Sequence, residues 1–163
     1  MTDFSRLRVL IVDDNHHMIH IVKTILRGFG IKDFLEARDA AEAFDLFRGA
    51  EVDFIVLDFA MSILDGTDFI RLVRTGSDSP NPHVPIIMLS AYSERPKVIA
   101  ARDAGVTEFC CKPVTPNELY KKVAAIVNSP RPFVRSNAYI GPDRRRHKVA
   151  GFAGKERRAG DDA

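Results

Sequence analysis

The chain has 163 residues, enough to bury the core of about one domain and hardly enough for two. Its 45% hydrophobic and 28% charged residues are ordinary for a globular protein, and no apolar run approaches the roughly 20 residues that span a bilayer. The net charge of +2 hides an asymmetry: residues 1–128 carry 15 Lys/Arg against 18 Asp/Glu, and residues 129–163 carry nine against four, so an acidic domain precedes a basic tail.

The first strand is predicted at 8–12, an apolar run that leads straight into Asp13 and Asp14. No leader with a small-residue cleavage site is apparent there, so the cytoplasm is the expected compartment. A helix follows over 15–28, with Met18, Ile19, Val22, Ile25, Leu26 and Phe29 at helical spacing and Gly28 and Gly30 closing it. A short strand is expected at 34–37. Asp39 can cap the next helix, whose apolar face is Ala43, Phe44, Phe47 and Ala50.

Residues 54–58, Phe-Ile-Val-Leu-Asp, read as a strand buried on both faces that ends in a lone carboxylate. A loop at 59–66 contains the turn signal Asp65-Gly66. The helix at 67–75 is predicted to turn Phe69, Leu72 and Val73 inward, and the Ser- and Pro-rich stretch 76–85 reads as a loop. Strand four at 85–90 ends in Ser90. The helix at 94–104 stops at Gly105. Strand five runs from Glu108 through Cys110 and Cys111 to Lys112-Pro113; adjacent cysteines argue against a disulfide framework or thiolate metal site, and both are expected to pack as small apolar residues. Thr115 and Pro116 open a last helix with Leu119, Val123, Ile126 and Val127 on its apolar face.

Five strands alternating with five helices argue for an α/β domain, a parallel sheet covered on both sides and ending near Asn128. Right-handed crossovers bring the carboxyl ends of all five strands to one edge, where such sheets bind ligands. Asp13, Asp14, Asp58, Ser90 and Lys112 then share one rim. Carboxylates about 4 Å apart repel by roughly 4 kcal/mol per pair at an effective dielectric near 20. A cation must offset that, and an all-oxygen ligand set points to Mg2+. Such a site suits phosphoryl transfer, which is mostly positioning and charge neutralisation. The bland reading of single members remains beside this one: an Asp as a helix cap, Ser90 as a turn residue, Lys112 as a solvated strand end, Phe109 as core.

Asp13-Asp14, Asp58, Asp65-Gly66, Ser90-Ala91 and Phe109-Cys110-Cys111-Lys112-Pro113, in that order and spacing over about residues 7–128, resemble the receiver domain of two-component response regulators. The resemblance implies a flavodoxin-like sheet of strand order 2-1-3-4-5. It implies that Asp58 accepts a phosphoryl group from a phosphohistidine of a sensor kinase or a histidine phosphotransfer protein. Mg2+ would be held directly by Asp14 and Asp58, by Asp13 mainly through water, and by the backbone carbonyl of Ala60. Lys112 would pair with the phosphoryl oxygens, and Ser90 would move to hydrogen-bond them. Phe109 would swing into the space Ser90 vacates and change the face made by helix four, strand five and helix five, where a downstream protein binds. A cis bond before Pro113 is frequent in the family, as is slow loss of the phosphoryl group. By the family's docking geometry, His17, Met18 and Ile21, with Val114 and Thr115, would meet the phosphodonor protein. Ser62 departs from the family's usual proline, and Phe109 stands where tyrosine is as common; neither removes a ligand or a charge.

His16 and His20 stand four apart on the first helix without an evident third metal ligand. An aspartyl-phosphate hydrolase would generally carry a second acid at position 60, which is alanine, and a nucleotide-binding module would carry a Gly-rich strand-to-helix loop, which is missing.

The tail, 129–163, is rich in Pro and Arg and is expected to have no core of its own. It contains an echo: Tyr139, Gly141, Asp143, Arg144 and Arg145 recur thirteen residues later as Phe152, Gly154, Glu156, Arg157 and Arg158. An aromatic anchor with a guanidinium pair suits an acidic protein surface, including this receiver in the same or a neighbouring molecule. The alternatives are a solvated basic extension, or a nucleic-acid contact through residues 144–148, though no folded reader of bases accompanies it.

Overall fold

The computed structural model describes residues 2–58, 66–91, 95–130, 132–135 and 139–143. Five parallel strands, β1 (Arg8–Val12), β2 (Asp33–Ala37), β3 (Phe54–Asp58), β4 (Ile86–Ser90) and β5 (Glu108–Cys111), form one sheet in the order β2-β1-β3-β4-β5. The helices α1 (His16–Gly28), α2 (Ala40–Gly49), α3 (Gly66–Thr75), α4 (Arg95–Ala104) and α5 (Pro116–Asn128) alternate with them.

Two apolar cores follow from the period-two alternation of strand side chains. Val9, Ile11, Phe54, Val56, Ile87 and Leu89 face one way and pack with Ile19, Val22 and Leu26 of α1 and Leu119, Val123 and Ile126 of α5. Leu10, Val12, Ile55, Leu57, Ile86 and Met88 face the other and pack with α2, α3 and α4. β3 and β4 are buried along their whole length, which is why both read as unbroken apolar runs.

Caps fix where the helices begin and end. The Asn15 side chain accepts from the backbone N–H groups of His17 and Met18, Asp39 from Glu42, and Thr115 from Glu118. Gly30, with φ +101°, ends α1 by donating to the Arg27 carbonyl, and Gly105, with φ +118°, ends α4 in the same left-handed conformation.

Two expectations need correction. In α3 the buried stripe is Phe69, Ile70, Val73 and Arg74, and Leu72 is 40% exposed. The helix turns the Arg74 position inward because three backbone carbonyls await its guanidinium there. Of the cysteines, Cys110 is buried and Cys111 exposed, since neighbours on a strand point to opposite faces and β5 is an edge strand. Burial pushes the Cys110 thiol up to about 11. At pH 8, iodoacetamide is expected to alkylate Cys111 and spare Cys110 in the folded chain, a difference read by mass spectrometry of tryptic peptides; equal labelling would contradict this packing.

Beyond α5 lies an element that the sequence did not announce, an antiparallel pair of strands, β6 (Phe133–Arg135) and β7 (Ile140–Pro142). Asp143 N–H donates to the Pro132 carbonyl at 2.7 Å, and the Tyr139 hydroxyl donates to the Pro142 carbonyl at 2.7 Å. The Phe133 ring stacks on His83, with centroids 4.3 Å apart, and the Arg74 guanidinium carbon lies 4.9 Å from its centre. Among the described residues no helix is long and apolar enough to cross a membrane.

Candidate functional site

Because all five strands run the same way, their carboxyl ends share one rim. β1 delivers Asp13 and Asp14 to it, β3 Asp58, β4 Ser90, and the residue after β5 is Lys112. Asp13 N–H donates to the Ala37 carbonyl at 3.0 Å, extending the β1–β2 ladder by one residue, and the Asp13 carboxylate accepts from Asn15 N–H at 2.9 Å. Lys112 N–H donates to the Ser90 carbonyl at 2.9 Å, which ties the lysine to the end of β4. The Lys112–Pro113 peptide bond is cis.

One carboxylate oxygen from each of Asp13, Asp14 and Asp58 lies within 4.8 Å of the other two. Asp13 and Asp58 are buried and Asp14 is half-buried. Lys112 Nζ meets Asp58 Oδ1 at 2.6 Å. Three acids so close repel one another, and Lys112 offsets part of that repulsion. Burial first, then the charge of Asp58, pushes the Asp13 carboxyl up to about 7, against the opposing pull of the Asn15 amide and Lys112. A divalent cation held by these oxygens would offset both the burial and the mutual repulsion of the acids.

Ser90 is buried at the end of β4, and Phe109 is half-buried against the core under α2–α4. Around the start of α1 and the turn after β5, His17 and Thr115 are exposed, Ile21 is half-buried, and Met18 and Val114 pack in part on the opposite core, under α1 and α5. His16 and His20 are exposed; the described residues contain one group of three potential metal ligands, and it is the Asp cluster. Ala60, Ser62, Asp65 and Glu94 lie outside the described residues, as do Arg144, Arg145, Phe152, Arg157 and Arg158 of the tail. Tyr139 and Gly141, from the first copy of the echo, fall in and beside β7.

Sequence reasoning missed Arg74. Its guanidinium donates to the carbonyls of Gly105 (3.0 and 2.8 Å), Pro82 (2.8 Å) and Val84 (2.6 Å) at the pole opposite the acids. The signal was present in its spacing, four residues after Ile70, but an arginine on a helix reads as solvated.

Fold and rim together define an α/β domain whose working end is an acidic pocket opposed by one ammonium. Residues 9–124 match the model of the response regulator receiver domain, and the chain belongs to that family. It is 35% identical over 120 residues to the chemotaxis protein CheY of Pseudomonas aeruginosa, covering 74% of this chain and 95% of that protein. It is 34% identical over 122 residues to CheY-3 of Vibrio cholerae, covering 75% and 92%. The solved chemotaxis response regulator CheY4 of Vibrio cholerae superposes with a TM-score of 0.66 at 28% identity, covering 74% of this chain and 98% of that one. The protein is therefore a receiver of phosphorylation-dependent two-component signalling, similar in sequence and fold to chemotaxis regulators.

Proposed function

We propose that this receiver takes a phosphoryl group on Asp58 from a phosphohistidine of a sensor histidine kinase or a histidine phosphotransfer protein. The observation that supports this most is the meeting of three carboxylates from two strands, within 4.8 Å, against a lysine 2.6 Å from one of them. Asp14 and Asp58 are the proposed direct ligands of Mg2+, with Asp13 acting mainly through water and the carbonyl of Ala60 as a further ligand. When bound, the ion neutralises charge on the acids and on the transferring group. Asp58 supplies the attacking oxygen as the phosphorus–nitrogen bond of the donor breaks. Lys112 then exchanges its Asp58 oxygen for phosphoryl oxygens, and the Ser90 hydroxyl donates to another.

The pocket's electrostatics give this reading a pH signature. Asp13 is raised from 3.8 to about 7 in the folded chain. Between those values the folded chain holds a proton that the unfolded chain has lost, so this group's contribution to stability, full below pH 3.8, falls away as pH rises through 7. Mg2+ requires the ionised pocket. Its apparent affinity is therefore expected to be about tenfold weaker at pH 6 than at pH 8, and the rise in melting temperature on adding Mg2+ correspondingly smaller. A thermal shift with Mg2+ that is independent of pH would contradict the charge balance described.

His17, Met18, Ile21, Val114 and Thr115 form the proposed patch for the phosphodonor, since they flank the rim on two neighbouring elements. Ser90 and Phe109 are the proposed switch, acting on the face of α4, β5 and α5 where a downstream protein target binds. We assign the phosphoryl group a slow loss through the same pocket, and the protein a cytoplasmic setting. Residues 1–128 are the receiver in this reading and 129–163 an extension whose Tyr139, Arg144, Arg145, Phe152, Arg157 and Arg158 contact an acidic protein surface. Truncation after Asp143, which keeps the hairpin, is expected to preserve phosphorylation and weaken target binding or self-association; no change in either would leave the extension without that role.

Incubation with a small phosphodonor tests the central reading. One phosphoryl group per chain, dependent on Mg2+, stable to mild acid and lost in base, is the expected result.

A further inference from the structure

The family's match ends at residue 124, yet the chain continues into a hairpin docked on the domain. Where it docks is specific. Arg74, 1% exposed, donates to the carbonyl of Gly105 just before β5, to that of Val84 just before β4, and to the Thr107 hydroxyl at 3.4 Å. The Thr107 hydroxyl also accepts from Ile86 N–H at 3.0 Å. One guanidinium thus ties together the amino ends of β4 and β5, and Phe133 of β6 lies over it, wedged against His83. From β7, Gly141 comes so close that a Cβ there would lie 3.0 Å from Gly105 Cα and 2.6 Å from the Tyr139 hydroxyl.

β4 and β5 are the strands whose other ends carry Ser90 and Lys112. They are five and four residues long and pair with each other from Ile87–Glu108 to Ser90–Cys111, so few residues separate the Arg74 tie from the rim. Lys112 Nζ lies 2.6 Å from Asp58 Oδ1, and in the proposed reaction this ammonium exchanges that oxygen for phosphoryl oxygens.

We propose that the β6–β7 hairpin is an autoinhibitory strap: by fixing the amino ends of β4 and β5 through Phe133, Arg74 and the Gly141–Gly105 approach, it stabilises the Lys112–Asp58 pair and lowers the readiness of Asp58 to be charged. The strap rests on the reading of Asp58 as phosphoacceptor. Linkage is reciprocal, so charging Asp58 loosens the hairpin in turn and alters how the basic tail beyond it is presented.

The test titrates the full-length chain with beryllofluoride, a phosphoryl mimic, at fixed Mg2+, reading the bound species by 19F NMR. Phe133→Ala removes the wedge, and Gly141→Leu forces the hairpin off Gly105 while leaving the wedge residue in place. Each is expected to bind beryllofluoride about fivefold or more tightly than the parent chain. Val134→Ala, at an exposed position of the same hairpin, is expected to bind as the parent does. Unchanged or weaker binding in a folded Phe133→Ala or Gly141→Leu chain, or a shift of equal size in Val134→Ala, overturns the strap. A parent chain that binds no beryllofluoride overturns the reading of Asp58 itself, and the strap with it.

Discussion

Asp58→Ala is expected to take phosphoryl uptake from one group per chain to background while leaving the fold intact. The carboxylate is placed to attack with a metal site and an ammonium beside it: it meets Asp13 and Asp14 on one side and Lys112 Nζ at 2.6 Å on the other. Removing it breaks the Lys112 ion pair but relieves the crowding of three acids, so the melting temperature without Mg2+ should hold or rise. The stabilisation by Mg2+ should largely disappear, because one of two direct ligands is gone. Asp58 is also among the causes that raise the Asp13 carboxyl, so in the variant that carboxyl should titrate closer to its ordinary range. Residual labelling by a small phosphodonor with the same base lability would mean that another acid is the acceptor.

The second large effect lies at the other pole. Arg74→Met preserves most of the side-chain volume but withdraws the guanidinium donors from the carbonyls of Gly105, Pro82 and Val84. Buried carbonyls left without partners cost roughly 1–3 kcal/mol each where water cannot reach them. A total loss of about 3–5 kcal/mol is expected, which for a chain of this size lowers the melting temperature by roughly 10 °C or more. Methionine separates the two roles of the residue. If Arg74 served only as filler, Arg74→Met would be tolerated and Arg74→Ala would not; if its hydrogen bonds hold α3 to the entries of β4 and β5, both fail. Burial lowers the Arg74 pKa to about 9, below the arginine norm yet still charged at neutral pH, so these carbonyl bonds are charge-assisted.

The acid rim was legible from the residues alone because it is a consequence of topology. Once β1, β3, β4 and β5 are read as parallel, the polar residue ending each apolar run must reach the same edge, and Asp13, Asp14, Asp58, Ser90 and Lys112 need no further information to be gathered there. Helix caps were legible for a similar reason: Asp39 and Thr115 act on their own chain within three residues. What escaped was decided by partners distant in sequence. The inward turn of Arg74 depends on Gly105 and Val84, and an exposed Leu72 follows from that choice of face. The hairpin could not be read from its own residues. Each strand is three residues long, with Pro142 in one of them, and neither would persist without the surface of α3, His83 and Gly105 to lie on. Cys111 escaped because alternation at an edge strand turns it to solvent.

The most direct measurement is a crystal structure of the full-length chain with Mg2+ and beryllofluoride. The account predicts one ion about 2.1 Å from carboxylate oxygens of Asp14 and Asp58, Asp13 one water away, and the adduct on Asp58 within hydrogen-bonding reach of Lys112 Nζ and the Ser90 hydroxyl. An ion bound elsewhere, an adduct on a different side chain, or Asp13, Asp14 and Asp58 turned away from one another would contradict it.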